Sequence, residues 1–249
     1  MSDNTTRTYY KLSASAPFSP PIAYAISSRP LDAIIDLSHW FGPIENQLTL
    51  GACTAFAATQ WYGAWQVKHK KPWVVYSQLA QYWEERYDIG TVNQDSGAPV
   101  LTAVQVLCQQ GIMPEQSDPY VITAFENAPS SAWLPGSQLP YDLVRTVPPS
   151  QCLQGSLDAI NNGYPVLFGF SVFKGLESLE VTQTGVLPMP LEGEQPLGGH
   201  AVVAVGFNHA TKMIRVRNQW GANWGQAGYF EMPYLYYSHY VTEAYVIEN

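Results

Sequence analysis

Asn46-Gln47-Leu48-Thr49-Leu50-Gly51-Ala52-Cys53-Thr54-Ala55-Phe56-Ala57 is the stretch on which the reading of this chain turns. A thiol follows a Gly-Ala step that marks a helix start, and a side-chain amide, Gln47, stands six residues before it. Beyond Cys53, residues Ala57, Trp61, Ala64, Trp65 and Lys68 recur at helical spacing, the lysine placed to snorkel. Cys53 therefore falls in the first turn of a buried helix. A thiolate needs a base or cation beside it to be abundant at neutral pH, and an acyl-transfer site also needs a donor for the oxyanion. Far downstream, Gly199-His200-Ala201 and Arg217-Asn218-Gln219-Trp220-Gly221 supply an imidazole and an amide able to orient it.

Around that stretch the chain divides in character. Residues 1–35 are rich in Ser, Ala and Pro, with Ser19-Pro20-Pro21 and Arg29-Pro30 as helix breakers, and read as a surface arm. Ser77 is placed to cap a second helix running to about Arg86; Leu101, Val104, Leu107 and Cys108 form a third, stopped by Gly111. A Pro-, Ser- and Asn-rich loop follows over 113–140, with Trp133 and Tyr141 as expected anchors. After a short helix near 153–161 the signals turn to β: 165–170, 201–207, 213–217, 229–232 and 244–247 are apolar or alternating runs. The expected organisation is an arm over 1–35, a mainly helical lobe over 36–140 and a mainly β lobe over 141–249, an α+β arrangement.

At 249 residues and 46% hydrophobic composition the chain can bury a large core, which excludes disorder and fibrous repeats. Twelve Lys+Arg against 20 Asp+Glu, spread without long runs, argue against a nucleic-acid or membrane surface. No signal-peptide core or long apolar run is present, and Cys53, Cys108 and Cys152 form no disulfide framework; a reducing, cytoplasmic location is expected. The five histidines lie away from the cysteines at ligand spacing, so no metal and no cofactor is implied. Cys108, on an apolar stripe, reads as a small hydrophobe and Cys152 as incidental; His69, His209 and His239 read as surface residues.

The order Gln, Cys, His, Asn resembles the papain-like cysteine peptidases. Gly199 to Phe207 is similar to the family's histidine strand. Arg217-Asn218-Gln219-Trp220-Gly221 through Trp224-Gly225 and Gly228-Tyr229-Phe230 is similar to its Asn-Ser-Trp-Gly pattern. The likeness runs from about Asp36 to the C-terminus. It implies two lobes, a helical one and an antiparallel β-barrel-like one, with the cleft between them. It also implies Cys53 as nucleophile, His200 as acid and base, Asn218 as orienter, Gln47 as oxyanion donor and Trp220 as a shield over the Asn–His bond. Gly51 and Gly97 would contact substrate backbone, while Ala98, Gly169 and Gly198 would line a roomy side-chain pocket. The helix dipole and a neighbouring imidazolium would hold the Cys53 thiol well below its free value, as they do in papain itself.

Departures from the family pattern carry information of their own. Leu50 stands where secreted members have a disulfide cysteine, Thr54 replaces a tryptophan and Gln219 a serine, as in bacterial branches. About 35 residues precede the mature-like region where the family usually has a long inhibitory pro-segment, so control is expected from substrate choice, as in a processing peptidase, or from the short arm covering the cleft. The substrate is then a peptide or protein. The same thioester chemistry would also serve an acyl or amine transferase, a class that generally uses Asp where this chain has Asn218. A further alternative is a binding protein that kept the fold without the chemistry.

Overall fold

The computed structural model describes residues 6–10 and 22–248. The reading of Ser19-Pro20-Pro21 lies outside them. Three helices build the first lobe: α1 (Cys53–Lys68), α2 (Gln78–Asp88) and α3 (Val100–Gln109). Ser77 caps α2 by accepting the Ala80 amide proton at 3.0 Å, satisfying a donor that has no partner inside the helix. Gly111 turns the chain out of α3 at φ +93°, a conformation that penalises a side chain. The α1 pattern is broader than the expected stripe, because every residue from Cys53 to Ala64 is buried. Such a helix has neighbours on all sides, here α2, α3 and the sheet. At its far end Lys68 Nζ reaches the Gly163 carbonyl at 3.0 Å and lies 3.6 Å from the Tyr164 ring centre.

The second lobe is built on a sheet of eight strands among the described residues: β1 (Ile22–Ala23), β2 (Ile34–Asp36), β3 (Val144–Thr146), β4 (Val166–Val172), β5 (Gly198–Asn208), β6 (Met213–Arg217), β7 (Tyr229–Pro233) and β8 (Val241–Ile247). The order is β1-β3-β8-β4-β5-β6-β7, antiparallel except at β1–β3. Along one edge of β5, β4 pairs as far as Ala204 and β2 takes over at Gly206, so the sheet curls. The helices α4 (Cys152–Asn161), α5 (Leu179–Thr184) and α6 (Tyr234–Tyr240) complete this lobe.

The central strands are largely apolar because both of their faces are covered, with His200 the buried exception on β5. Val166, Phe168, Phe170, Val202 and Ala204 enter the core of the β lobe; Leu167, Ala201, Val203 and Val205 enter the core shared with α1 and α3. This is the papain-like two-lobe α+β architecture, with α1 laid against β5.

Some local readings change. Part of the segment read as arm is sheet: Ile34 and Ile35 pair with Asn208 and Phe207, and Ile22 with Arg145. Strands of two or three residues carry too little periodicity to stand out from a Pro-rich background. In the 113–140 loop Trp133 is only half-buried, as is Tyr141 just beyond it; the apolar side chains sunk into the core are Met113 and Leu139, whose amide bonds the Leu107 carbonyl at 2.9 Å. His209 is half-buried and pairs with the Tyr234 hydroxyl at 3.1 Å.

Candidate active site

Cys53 is the first residue of α1, and its thiol lies against the backbone N–H groups of Cys53, Thr54 and Ala201. Two of these are helix N-terminal donors and the third belongs to β5, one residue after His200. The nucleophile helix and the histidine strand therefore meet at the sulfur. His200 donates from Nε2 to Asn218 Oδ1 at 2.9 Å, since a carbonyl oxygen can only accept. That bond places the neutral ring's lone pair on Nδ1, the position a base needs. Trp220 lies over the ring at 4.9 Å between centroids and 30° between planes, and Phe170 meets it edge-on at 5.8 Å.

Asn218 is positioned by the backbone. Asn46 and Trp220 form an isolated antiparallel bridge, Gln47 N–H bonds the Gln219 carbonyl at 2.9 Å, and Gly221 N–H bonds the Glu45 carbonyl at 3.0 Å. The same bridge delivers Gln47: its amide oxygen accepts from Trp220 Nε1 at 3.2 Å, and one amide N–H is taken by the Leu50 carbonyl at 2.8 Å. A second N–H remains for an oxyanion. Arg217, the residue before Asn218, is buried and bonded to Gln60 Oε1 of α1 at 2.9 Å, to the Tyr229 hydroxyl at 3.0 Å and to the Pro43 carbonyl at 2.5 Å. Cys53, His200, Asn218, Gln47 and Trp220 are thus brought to one place.

Gly51, Gly97, Gly169 and Gly198 all stand against the arm, while Ala98 is buried beside Gly97. A Cβ at Gly51 would stand 3.1 Å from Thr8 Cγ2, and one at Gly198 would stand 2.6 Å from Tyr9 Cβ. Cβ atoms at Gly97 and Gly169 would collide with Tyr10, with its backbone and its hydroxyl respectively. Gly97 has φ +65°, so a side chain there is disfavoured by the backbone as well. Tyr10 and Gly199 exchange two backbone hydrogen bonds, at 3.2 and 2.9 Å.

This covering acts on the protonation of both partners. Cys53 and His200 are 0% and 1% exposed. Burial pushes the thiol up to about 12 and outweighs the N–H groups that favour thiolate. Burial likewise pushes the imidazole down to about 4, against the pull of Asn218 and assisted by the charge of Arg7. Burial thus works against the charged form of both partners, opposing the helix N-terminus and the Asn218 bond, which favour it.

Sequence reasoning missed several supports. Asp95 Oδ1 accepts from Gly51 N–H at 2.8 Å and from the Tyr82 hydroxyl at 2.6 Å, and that hydroxyl accepts from Gly97 N–H at 3.1 Å, tying the two glycine loops together. Thr54, in the tryptophan's place, donates to buried Glu85 Oε2 at 2.5 Å, while Gln81 donates to Oε1 at 3.0 Å. Gln219, in the serine's place, donates to the Ala201 carbonyl at 2.8 Å and so braces the histidine strand. Apart from Gln81–Glu85, an i,i+4 pair within α2, each joins segments more than ten residues apart, and no spacing rule announces it. Cys108 and Cys152 lie away from the site as free thiols, both pushed up to about 12 by burial. Among the described residues no cluster of three His, Cys, Asp or Glu side chains could hold a metal ion, and no helix is long and apolar enough to cross a membrane.

Comparison with known proteins agrees with this geometry. Xylellain, a cysteine protease from Xylella fastidiosa, superposes with a TM-score of 0.86 at 26% identity, over 99% of this chain and 98% of that one. A Carica candamarcensis cysteine protease, solved in complex with E-64, superposes with a TM-score of 0.66 at 21% identity, over 88% of this chain and all (100%) of that one. A peptidase C1-like protein of Acanthamoeba polyphaga mimivirus is 35% identical over 201 residues, 77% of this chain. The match spans 64% of that viral protein's length. The profile of the papain family cysteine proteases matches residues 34–246, from β2 to the end of the sheet. With thiol, imidazole, orienting amide and glycine-lined cleft assembled on that fold, the chain belongs to the papain family of cysteine proteases.

Proposed function

We propose that this chain hydrolyses peptide bonds, with Cys53 as nucleophile. The observation that carries the reading is the His200–Asn218 bond, capped by Trp220 and lying one residue from the Ala201 N–H that touches the Cys53 sulfur. With the cleft open to a peptide, the Cys53 proton passes to His200 Nδ1 and the thiolate attacks the carbonyl carbon. Charge building on the carbonyl oxygen meets the second Gln47 amide N–H and the Cys53 backbone N–H. His200 then protonates the leaving amine, and next takes a proton from the water that hydrolyses the thioester. Asn218 keeps Nε2 protonated throughout, so the same ring nitrogen serves as base and acid.

Tyr10, seated against Gly97 and Gly169, supports a pocket that accepts a large side chain. A peptide library showing preference for small side chains two residues before the cut would refute that reading. Substrate choice of this kind suits a processing peptidase. Three free cysteines fit a reducing, cytoplasmic location, which a Cys108–Cys152 bridge in cell-derived protein would overturn. The test of the central reading is alkylation of Cys53 against pH in the wild type, Cys53→Ala and His200→Ala, run beside peptide hydrolysis. Selective labelling of Cys53, slowed in His200→Ala and accompanied by hydrolysis, is expected; equal labelling of all three thiols only near the free-thiol range would refute it.

A further inference from the structure

Gln47 is held by its backbone as well as by its side chain, and the holds come from different parts of the chain. Its N–H is fixed by the Gln219 carbonyl at 2.9 Å, and its own carbonyl accepts from the Tyr120 hydroxyl at 2.8 Å. The Gln47–Leu48 peptide is gripped from its other side too, where Leu48 N–H donates to Asn46 Oδ1 at 2.9 Å. Leu48 stands at φ +55°, in the left-handed region that glycine enters freely and leucine does not. Its side chain is 44% exposed, so packing does little to keep it there, and the hydrogen bonds on the peptide oppose its relaxation. Tyr120 is in turn a fixed point. Its N–H donates to Glu115 Oε1 at 2.6 Å, the nearby Asp118 carbonyl accepts from the Ser77 hydroxyl at 2.6 Å, and its ring meets Phe56 of α1 edge-on at 4.8 Å. Burial first, and then the Asp95 carboxylate, push its phenol up, so the hydroxyl stays a donor.

We propose that Tyr120 is a positioning residue for the hydrolysis: its hydroxyl holds the Gln47–Leu48 peptide in a strained turn and so aims the Gln47 side-chain amide at the oxyanion. The proposal rests on the reading of Gln47 as an oxyanion donor. Groups that act on a transition state must be held within about 0.5 Å of the productive geometry, and Gln47 sits one bond from the strained residue. Without the hydroxyl the peptide is free to rotate and relax Leu48, which carries the amide off line. Two consequences separate this role from plain packing. The loss falls on the transition state alone, and it depends on Leu48, because Leu48→Gly removes the reason to rotate.

The test uses the full chain and a fluorogenic peptide carrying tyrosine two residues before the cut, beside iodoacetamide labelling of Cys53 and NMR of the Gln47 side-chain amide. Tyr120→Phe should lower kcat by roughly three- to ten-fold, the worth of one neutral hydrogen bond, with KM little changed. Cys53 labelling should stay within about two-fold of wild type, since alkylation develops no oxyanion and the thiol, His200 and Asn218 are untouched. The Gln47 amide signals, identified by their loss in Gln47→Ala, should shift or double. Adding Leu48→Gly should bring kcat back to within about two-fold of Leu48→Gly alone. In a Gln47→Ala background Tyr120→Phe should have no further effect, because no amide is left to aim. An equal loss of kcat with and without Gln47→Ala, or with and without Leu48→Gly, would overturn the proposal, as would unchanged kcat and amide signals in Tyr120→Phe. Amide signals that move while neither wild type nor variant cuts the peptide would support the role of Tyr120 in holding Gln47 and refute the peptidase reading instead.

Discussion

Glu85 lies beneath the first turn of the nucleophile helix with no exposure to solvent. Burial pushes its carboxyl from the ordinary 4.5 up to about 8, although Thr54, Gln81 and Arg86 all favour the charged form. The folded protein therefore holds a proton that the unfolded chain releases. Below pH 4.5 both states are protonated and the linkage is silent. Between 4.5 and about 8 stability falls as the pH rises, and above that window the loss is complete. At ~1.4 kcal/mol per pH unit, the displacement corresponds to a loss of ~5 kcal/mol, a large part of the ~5–15 kcal/mol that holds a domain together. Glu85→Gln keeps the shape and a hydrogen-bonding oxygen but never ionises. Urea unfolding at a series of pH values should show the two proteins alike near pH 4 and the variant increasingly more stable toward pH 9. Taking the difference between the curves removes the other buried carboxyls, such as Glu45 and Glu243, whose pKa values burial also raises. Curves that stay parallel to within ~0.5 kcal/mol, the typical reach of a neutral surface change, would refute the protonated-Glu85 account.

Other expectations follow from the site. Asn218→Ala removes the acceptor on His200 Nε2 and should cut kcat by roughly 10- to 100-fold with KM little changed, the worth of one buried hydrogen bond to a ring that becomes charged. Gln47→Ala should cost roughly 100- to 1000-fold in kcat, as expected for an oxyanion donor, with Cys53 alkylation kinetics close to wild type. Gln219→Ala leaves the Ala201 carbonyl unpaired in the core and should lower unfolding free energy by ~1–3 kcal/mol in denaturant titration. Gly97→Ala combines a φ of +65° with a collision against Tyr10, so it should both destabilise the fold and speed Cys53 labelling by driving the arm out.

The long, one-pattern segments were the legible ones. The Cys53–Lys68 helix, the Ser77 cap and the five main strands follow from periodicity and from residues with a single structural preference. Gln47, Cys53, His200 and Asn218 stood out because their spacing matches a known family, and the fold brings them together. Beyond reach were features made by distant pairings. Glu85 sits in an ordinary Glu-Glu-Arg run, and nothing local says that Thr54 will cover it. Tyr9 and Tyr10 resemble any tail until the cleft glycines receive them. The upward push on the thiol and the downward push on the imidazole belong to the same class, since both come from burial.

β5 has one more consequence, for how the protein comes apart. Its even-numbered residues Val202 and Ala204 belong to one core and its odd-numbered residues Ala201, Val203 and Val205 to the other, so neither lobe possesses a complete interior without that single strand. Heating should then melt both halves in one calorimetric transition, with matching van 't Hoff and calorimetric enthalpies. The strand that presents His200 is also the seam of cooperativity: half-melted molecules, the species most exposed to cleavage by their own neighbours, are kept scarce.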